Sequence, residues 1–304
     1  MQQLIKGTTA YKIFTTDGAK NRYSHAYMLH LSDLKNLREA LLFFAAEFFG
    51  AKEGTALYNR ISSGSYPDFT LYPEADKKYT ADGVAAIIED SAMRPVEGAK
   101  QLYVLSDFDK ASALVQNKLL KTLEETLEGV YFILGVTTLA PVLDTVKSRV
   151  KLLEIPPFSA DEIYAALERK GSNPLNRAAA ERCNGILGDA ENMVSGGWFK
   201  EVREAAEEIC TTVNREDISA VAQKYGDIKY RQELLSEMQN AYFSALTDGG
   251  KIAGLLSEHT LIYAIESINR ALADVRFNAF FQGLLYDFML RIAKENDKWQ
   301  KLQV

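Results

Sequence analysis

The stretch QLYVLSDFDKASALVQNKLLKTLEETLEGVYFILGV, residues 101–136, decides the fold. Its two ends, Gln101–Leu105 and Val130–Val136, are predicted strands, and within them Leu102–Leu105 and Tyr131–Leu134 are continuously apolar. Such uninterrupted runs are typical of strands buried on both faces of a parallel sheet. The pattern from Leu114 to Leu127 predicts a helix between them. A strand, a helix and a second strand in this order indicate a βαβ unit.

The same alternation extends to both sides of this unit. Further short strands are predicted at His25–Leu31, Phe69–Tyr72 and Val150–Ile155. Apolar stripes at helical spacing lie between them, one beginning at Leu34 and another ending at Ala92. The chain up to residue 158 therefore predicts a three-layer α/β domain built on a parallel sheet.

The strand signals stop after Pro156 and Pro157. Ser159 with Glu162 forms a capping box, which predicts a helix at Ala160–Lys170, and a helical pattern fills most of the chain after residue 200. The predicted fold is thus α/β plus all-α. Its three predicted domains are the α/β domain at 1–158, a small helical lid domain at 159–200, and a helical collar for oligomerisation at 201–304.

The last predicted helix carries a wide apolar arc between Phe277 and Ile292. A face this broad is buried, either in the core of a helical bundle or against another chain. Core packing is the simpler interpretation for any one of its residues. The breadth of the arc nevertheless makes Phe277 and Phe281 candidates for a subunit interface.

The composition excludes several classes of protein. The 304 residues are 47% hydrophobic and 25% charged, with 35 Lys and Arg against 41 Asp and Glu, whereas a dedicated nucleic-acid binder usually has a positive balance. No apolar run approaches the roughly 20 residues that span a bilayer, and the first twelve residues lack a signal-peptide core. Cys183 and Cys210 are too few for a disulfide framework or a zinc site of their own. The expected location is the cytoplasm.

Two stretches carry a family resemblance. The first is SHAYML at residues 24–29, and the second runs from residue 102 through QNKLLKTLEE at 116–125 and FILGVTT at 132–138 to TVKSR at 145–149. Together they resemble the AAA+ module of the bacterial DNA polymerase III clamp loader, and most closely its delta-prime subunits. In that family a Walker B strand is followed by a helix of the pattern N-x-LLK-x-LEE, a sensor-1 strand and a Ser-Arg-Cys motif.

The resemblance implies an ATP site after the first strand, and the residues there do not fit one. An active site needs a glycine-rich loop ending in Gly-Lys-Thr or Gly-Lys-Ser, because its N–H groups, lysine and hydroxyl hold the phosphates and Mg²⁺. No glycine occurs between Ala26 and Phe49. Leu37 and Arg38 stand where the lysine and hydroxyl belong, and Asp33 would place a negative charge among phosphates. We therefore predict that this chain neither binds nor hydrolyses ATP in its own site.

The predicted Walker B strand departs from the family in the same way. Ser106 replaces the metal-binding Asp, and Asp107 stands at the position usually held by Glu. Asp107 and Asp109 are either ligands of a metal ion or an acidic pair that stabilises the N-terminal end of the following helix. The missing phosphate loop favours the second interpretation.

Many clamp-loader modules also insert a zinc knuckle with four Cys ligands between the first helix and a Pro-Asp strand. Here that interval is residues 50–66, followed by Pro67 and Asp68, and it contains no Cys or His. A closed structural zinc site needs four thiolate or imidazole ligands. We predict that the zinc is lost and that polar residues around Tyr58 and Asn59 hold the segment.

Arg149 is the residue with a predicted chemical role. With Ser148 it occupies the place of the Ser-Arg-Cys motif, at the edge that in this family faces a neighbour's nucleotide. A guanidinium is planar, permanently charged and able to bind two phosphate oxygens, so Arg149 is a candidate arginine finger for that neighbour. The alternative is an ion pair with a carboxylate of its own chain, such as Glu154 or Asp144.

The predicted helix at 116–125 has two interpretations. Asn117 and Lys121 lie either at a subunit boundary, with Ser148 and Arg149, or on a solvent-facing surface whose charges pair along the helix. The sequence does not separate the two.

The resemblance implies a non-catalytic, delta-prime-like subunit. Its partners would be motor subunits of the tau or gamma type and a delta subunit. It would contact them through the AAA+ edge and through the helical collar. The pattern of the collar from Ile268 to Leu290 is similar to that of the family. The complex would load a sliding clamp onto primed DNA. The alternatives are a residual ATPase, or a AAA+-derived scaffold or adaptor outside replication.

Overall fold

The computed structural model describes residues 1–125, 127–275 and 280–302. The chain divides into two compact units, Met1–Asn192 and Met193–Val304, and each is described by itself. The finer division into three domains, with borders at residues 158 and 200, stays a prediction.

The first unit is built on a parallel sheet. Its strands, over the described residues, are β1 (Ala26–Leu31), β2 (Phe69–Tyr72), β3 (Gln101–Leu105), β4 (Val130–Val136) and β5 (Lys151–Ile155). They are ordered β2-β3-β4-β1-β5, and each neighbouring pair is parallel. The five predicted strands are confirmed. For the three central strands, β3, β4 and β1, the reason is that a run of buried apolar residues leaves a short segment few alternatives.

Helices cover both faces of this sheet. The helices that lie or begin in this unit, over its described residues, are α1 (Gln2–Gly7), α2 (Thr9–Ala19), α3 (Leu34–Phe48), α4 (Ala56–Ser62), α5 (Ala81–Asp90), α6 (Ala113–Glu124), α7 (Asp144–Lys147), α8 (Ala160–Lys170), α9 (Asn176–Arg182) and α10 (Leu187–Ser195). Helices α5, α6 and α7 share one hydrophobic core with β1, β3 and β4, while α2 and α3 pack on the other face. The capping box of Ser159 and Glu162 is confirmed at the start of α8.

A close approach of helix to sheet occurs at Gly135 in β4. A Cβ atom at this position would lie 2.5 Å from Cδ1 of Leu41 in α3. Since real Cβ contacts are not this short, the glycine lets α3 settle against the sheet and place its N-terminal end beside the carboxyl end of β1.

The second unit is helical throughout its described residues. It comprises α11 (Trp198–Thr211), α12 (Arg215–Tyr225), α13 (Arg231–Thr247), α14 (Glu258–Val275) and α15 (Phe281–Leu302). One hydrophobic core joins all five helices, and Phe288, Met289 and Ile292 of α15 are buried in it. The wide apolar arc of the last helix is thus largely the core of a helical bundle.

This packing corrects one candidate interface residue. Phe281 is 1% exposed within its own unit, and the guanidinium of Arg231 lies 5.3 Å from the centre of its ring. Phe281 therefore belongs to the intrachain core, because a ring already surrounded by its own chain has no surface to offer a partner. Phe277 lies outside the described residues. None of the described helices is both long and apolar enough to cross a membrane.

Candidate nucleotide and subunit-contact site

The residues predicted to surround a nucleotide meet at one edge of the sheet. The strands are parallel, so the loops that follow β1, β3 and β4 emerge at their common carboxyl ends. Ligands of open α/β sheets bind at this edge. The segment after β1 and the acidic residues after β3 are therefore the places to test for a nucleotide and its metal ion.

The carboxylate of Asp33 occupies the end of the sheet where phosphates would be expected. Its Oδ1 accepts a hydrogen bond from the backbone N–H of Asn36 at 3.1 Å and so caps the N-terminal end of α3. Its Oδ2 accepts one from the backbone N–H of Gly188 in α10 at 2.8 Å, and another from Nδ2 of Asn36 at 2.8 Å. Asp33 is 2% exposed. One buried carboxylate thus serves two helix N-terminal ends, each of which would attract an anion.

The space around Asp33 is closed. A Cβ atom at position 188 would lie 2.4 Å from Oδ1 of Asp33, so the absent side chain is what lets α10 approach so closely. The cavity that remains between the segments 31–33, 155–158 and 185–186 measures about 10 Å³, near the minimum of about 10–15 Å³ that a single water molecule needs. A cavity of this volume is too small for a nucleotide.

Charges next to Asp33 reinforce this arrangement. Lys35 of α3 forms an ion pair with Glu191 at 2.9 Å and donates a hydrogen bond to Asn192 at 3.1 Å. Lys170 of α8 pairs with the same Glu191. Burial tends to raise the pKa of Glu191, but the hydrogen bonds from Lys170 and Lys35 outweigh it and hold that pKa below its ordinary value. Lys35 is therefore directed to a carboxylate of its own chain.

The acidic residues after β3 bind protein groups. Ser106 donates a hydrogen bond from Oγ to Asp107 at 2.8 Å, and Lys110 contacts the other oxygen of Asp107 at 2.6 Å. Asp109 accepts a hydrogen bond from Thr137 at 2.7 Å. Among the described residues, no group of three or more His, Cys, Asp and Glu side chains is arranged to hold a metal ion.

The predicted helix-stabilising role of the same acidic pair needs correction. Asp107 and Asp109 lie at a single 3₁₀ turn, Phe108–Lys110, which precedes α6. The N-terminal end of α6 is capped by Ser112, whose Oγ accepts a hydrogen bond from the backbone N–H of Val115. The turn was not predicted because three residues are too few to show a periodic pattern.

The segment at 50–66 is held by an ion pair and ring contacts. Arg60 of α4 donates two hydrogen bonds to Glu97, at 2.9 and 2.7 Å, and its guanidinium lies 5.1 Å from the ring centre of Tyr66. Tyr58 accepts a hydrogen bond from Gln2 at 3.2 Å. The prediction around Tyr58 therefore identified the right segment but missed Arg60, whose partner is 37 residues away in sequence.

Arg149 follows the short helix α7 and reaches the C-terminal end of α6. Its Nε donates to Oε1 of Glu124 at 2.6 Å, and its Nη2 contacts the same oxygen. Its Nη1 donates to the backbone oxygen of Thr145 at 2.6 Å and lies 3.3 Å from Oγ of Ser148. The side chain of Arg149 is 29% exposed and that of Glu124 is 45% exposed. An ion pair with its own chain therefore exists, on the surface.

The carboxylates considered as partners from the sequence are engaged elsewhere. Asp144 pairs with Lys147 at 3.2 Å, and Glu154 lies 3.5 Å from Nδ1 of His30. The actual partner, Glu124, is the last residue of α6. It precedes Arg149 by 25 positions, so no local sequence pattern links the two.

The exposed face of α6 brings the other candidate contact residues together. Leu114, Asn117, Lys121 and Glu124 recur at intervals of three and four residues, which places them on one face of the helix. All four are exposed, and Leu114 is 64% exposed. The pair of Glu124 with Arg149 joins this row to Ser148, so the structure unites four of the predicted site residues on one surface. Contact of this surface with a neighbouring subunit stays a prediction.

Comparison with known proteins now gives the family. The family model described as DNA polymerase III, delta subunit, matches residues 6–159, half of the chain. The chain belongs to this family. The predicted relation to clamp-loader subunits of the delta-prime kind is confirmed, since DNA polymerase III subunit delta' of Bacillus subtilis is 29% identical over 191 residues. That match covers 60% of this chain and 58% of the relative, so the chain spans about three-fifths of the relative's length.

Proteins named for the gamma subunit of DNA polymerase III also match. DNA polymerase III subunit gamma of Buchnera aphidicola (subsp. Schizaphis graminum) is 26% identical over 141 residues, which are 44% of this chain and 39% of that protein. Among solved structures, a gamma subunit-related protein of Thermotoga maritima aligns over 94% of this chain and 99% of its own, with 12% identity and a TM-score of 0.44.

Proposed function

We propose that this chain is a non-catalytic, delta-prime-type subunit of the DNA polymerase III clamp loader. In this role it supports ATP-driven loading of the sliding clamp onto primed DNA without using ATP itself. The contact of Asp33 with Gly188 carries the proposal, because a carboxylate of the chain takes the position that an anionic ligand would need.

Direct binding tests the nucleotide part of this proposal. Isothermal titration of the purified chain with ATP and Mg²⁺ should give no binding heat in the micromolar to millimolar range, with an ATP-binding motor subunit as the positive control. Micromolar affinity would contradict the proposal and favour a residual ATPase. The same titration with Asp33→Ala shows whether removing the carboxylate is enough to admit a phosphate-bearing ligand.

The second part of the proposal is that Arg149 acts in trans, as an arginine finger for the ATP site of a neighbouring motor subunit. Two observations support it. Arg149 lies on the exposed surface that also carries Ser148, Asn117 and Lys121. Its ion pair with Glu124 is on the surface and leaves the Arg149 side chain 29% exposed, so the guanidinium is accessible to the phosphates of a neighbour.

Hydrolysis by the reconstituted complex tests the finger. The complex contains this chain, motor subunits of the tau or gamma type, and a delta subunit, and DNA-stimulated ATP turnover and clamp loading are measured. Arg149→Ala should reduce hydrolysis at the adjacent site by about 10³-fold or more, and total turnover by the share that this site contributes. Lys147→Ala is the matched control, because it removes a nearby cation that pairs with Asp144. Unchanged turnover and loading with Arg149→Ala would overturn the finger.

The proposed partners are the motor subunits and the delta subunit, with the sliding clamp and primed DNA engaged through the complex. Affinity purification of this chain from its native cells, followed by mass spectrometry, should recover them together. Recovery of other proteins in their place would favour a scaffold or adaptor outside replication.

A further inference from the structure

The contacts of Arg149 divide its guanidinium into two edges. Nε and Nη2 contact one oxygen of Glu124, and Nη1 donates to the backbone oxygen of Thr145. A guanidinium has five N–H groups in a fixed plane. These contacts engage Nε, one N–H of Nη2 and Nη1. The outer edge of the guanidinium, formed by the second N–H of Nη2 and the N–H of Nη1 beside it, is the parallel fork that can bind two oxygens of a phosphate at once. Nη1 also donates to Oγ of Ser148 at 3.3 Å, the longest and so the weakest of these contacts.

We propose that Glu124 is a positioning residue for Arg149. It holds the guanidinium by the Nε edge, so that the outer fork is presented to the neighbouring subunit in one orientation. This inference rests on the proposed role of Arg149 as a trans-acting finger and adds the residue that makes the finger effective.

The elements that carry the two residues suit this task. Glu124 ends α6, a helix whose buried residues Val115, Leu119 and Leu123 belong to the core of the first unit. Arg149 follows α7, which contributes Val146 to the same core. Both backbones are therefore anchored, and the flexible part is the arginine side chain itself. A long side chain loses much rotamer freedom when it is placed, and small errors of placement cost large factors in rate.

Glu124 also keeps its contact while Arg149 works. The Nε edge and the outer fork are different sides of one plane, so phosphate binding at the fork does not require Glu124 to leave. The positioning role is thus distinct from a competing ion pair, which would have to break first. A competitor predicts faster hydrolysis when Glu124 is removed, whereas a positioning residue predicts slower hydrolysis.

The experiment measures DNA-stimulated ATP turnover by the reconstituted complex with Glu124→Ala. We expect this variant to lower the Arg149-dependent part of turnover by about 5-fold, with the KM for ATP unchanged. Glu124→Gln keeps an oxygen acceptor for Nε and should retain most of the rate. Asp144→Ala is the matched control, since its carboxylate is 98% exposed and pairs with Lys147; it should leave turnover unchanged.

A double variant separates a positioning role from a general effect. Because Glu124 acts through Arg149, adding Glu124→Ala to Arg149→Ala should cause no further loss. The proposal would be overturned if Glu124→Ala lowered turnover by the same factor in the Arg149→Ala background as in the wild type. Faster or unchanged turnover with Glu124→Ala alone would also overturn it, as would failure of the complex with this variant to assemble. In each of these cases a loss of turnover with Arg149→Ala would leave the finger itself intact. No effect of Arg149→Ala would instead reject the proposed function.

Discussion

The carboxylate of Asp33 accepts a hydrogen bond from the backbone N–H of Gly188 at 2.8 Å, across 155 residues of sequence. The contact joins the N-terminal ends of α3 and α10 through one buried anion. In an ATP-binding protein, helix N-terminal ends of this kind are neutralised by the phosphates of a ligand, which binds and dissociates. Here the anion is part of the chain, so the arrangement is permanent.

Loss of this carboxylate should destabilise the first unit. Asp33→Ala removes the cap of α3 and leaves the N–H of Gly188 buried without its acceptor, so we expect the free energy of unfolding to fall by about 2–4 kcal/mol. Urea unfolding followed by circular dichroism measures the change. Asp33→Asn keeps one oxygen acceptor and should lose less. Equal stability of the wild type and Asp33→Ala would show that the contact contributes little.

Even the smallest side chain at position 188 should lower the stability of the first unit. Gly188→Ala would place Cβ 2.4 Å from Oδ1 of Asp33 and 2.8 Å from Cβ of Lys35, and overpacking of this kind costs about 1–3 kcal/mol. Gly7→Ala is the control, because nothing lies within 4 Å of a Cβ atom built there. A thermal melt should show a lower Tm for Gly188→Ala alone. Similar melting of both variants would contradict the close approach of α10 to α3.

Acid should weaken the ion pairs of Glu191. The hydrogen bonds from Lys170 and Lys35 hold the pKa of Glu191 below its ordinary value, so its stabilising effect is present above about pH 4.3. The effect is lost as the pH falls through the lower pKa of the folded state, because the folded chain must then take up the proton. Glu191→Gln should therefore flatten the loss of stability as the pH falls below about 4.3, measured by unfolding at each pH. An unchanged acid profile would show that the pairs do not contribute.

Two neighbouring phenylalanines should differ sharply in their effect on stability. Phe281 is 1% exposed, whereas Phe280 is 75% exposed. Phe281→Ala should cost about 3–5 kcal/mol, as usual for a ring removed from a core, and Phe280→Ala no more than about 0.5 kcal/mol. Denaturant unfolding of the two variants makes the comparison. If Phe281→Ala proved neutral, the core position of this ring would be wrong.

Local patterns were enough for most of the sheet and its covering helices. The runs at Gln101–Leu105 and Val130–Val136 specified central strands because their apolar residues leave no solvent-facing side. The capping box at Ser159 was visible because its two residues are three positions apart. The helix α4 and the 3₁₀ turn at Phe108–Lys110 were not predicted, since segments of seven and three residues show too few periods to be recognised.

The sequence by itself determined the family, the parallel sheet and the loss of the glycine-rich loop, because each of these depends on residues close together along the chain. The tertiary structure alone decided which carboxylate meets which partner. Asp33 meets Gly188, and Arg149 meets Glu124 rather than Glu154 or Asp144. These pairings depend on where helices end after packing on the sheet, and that is set by side-chain volumes such as the absent Cβ of Gly135, which no spacing in the sequence reports.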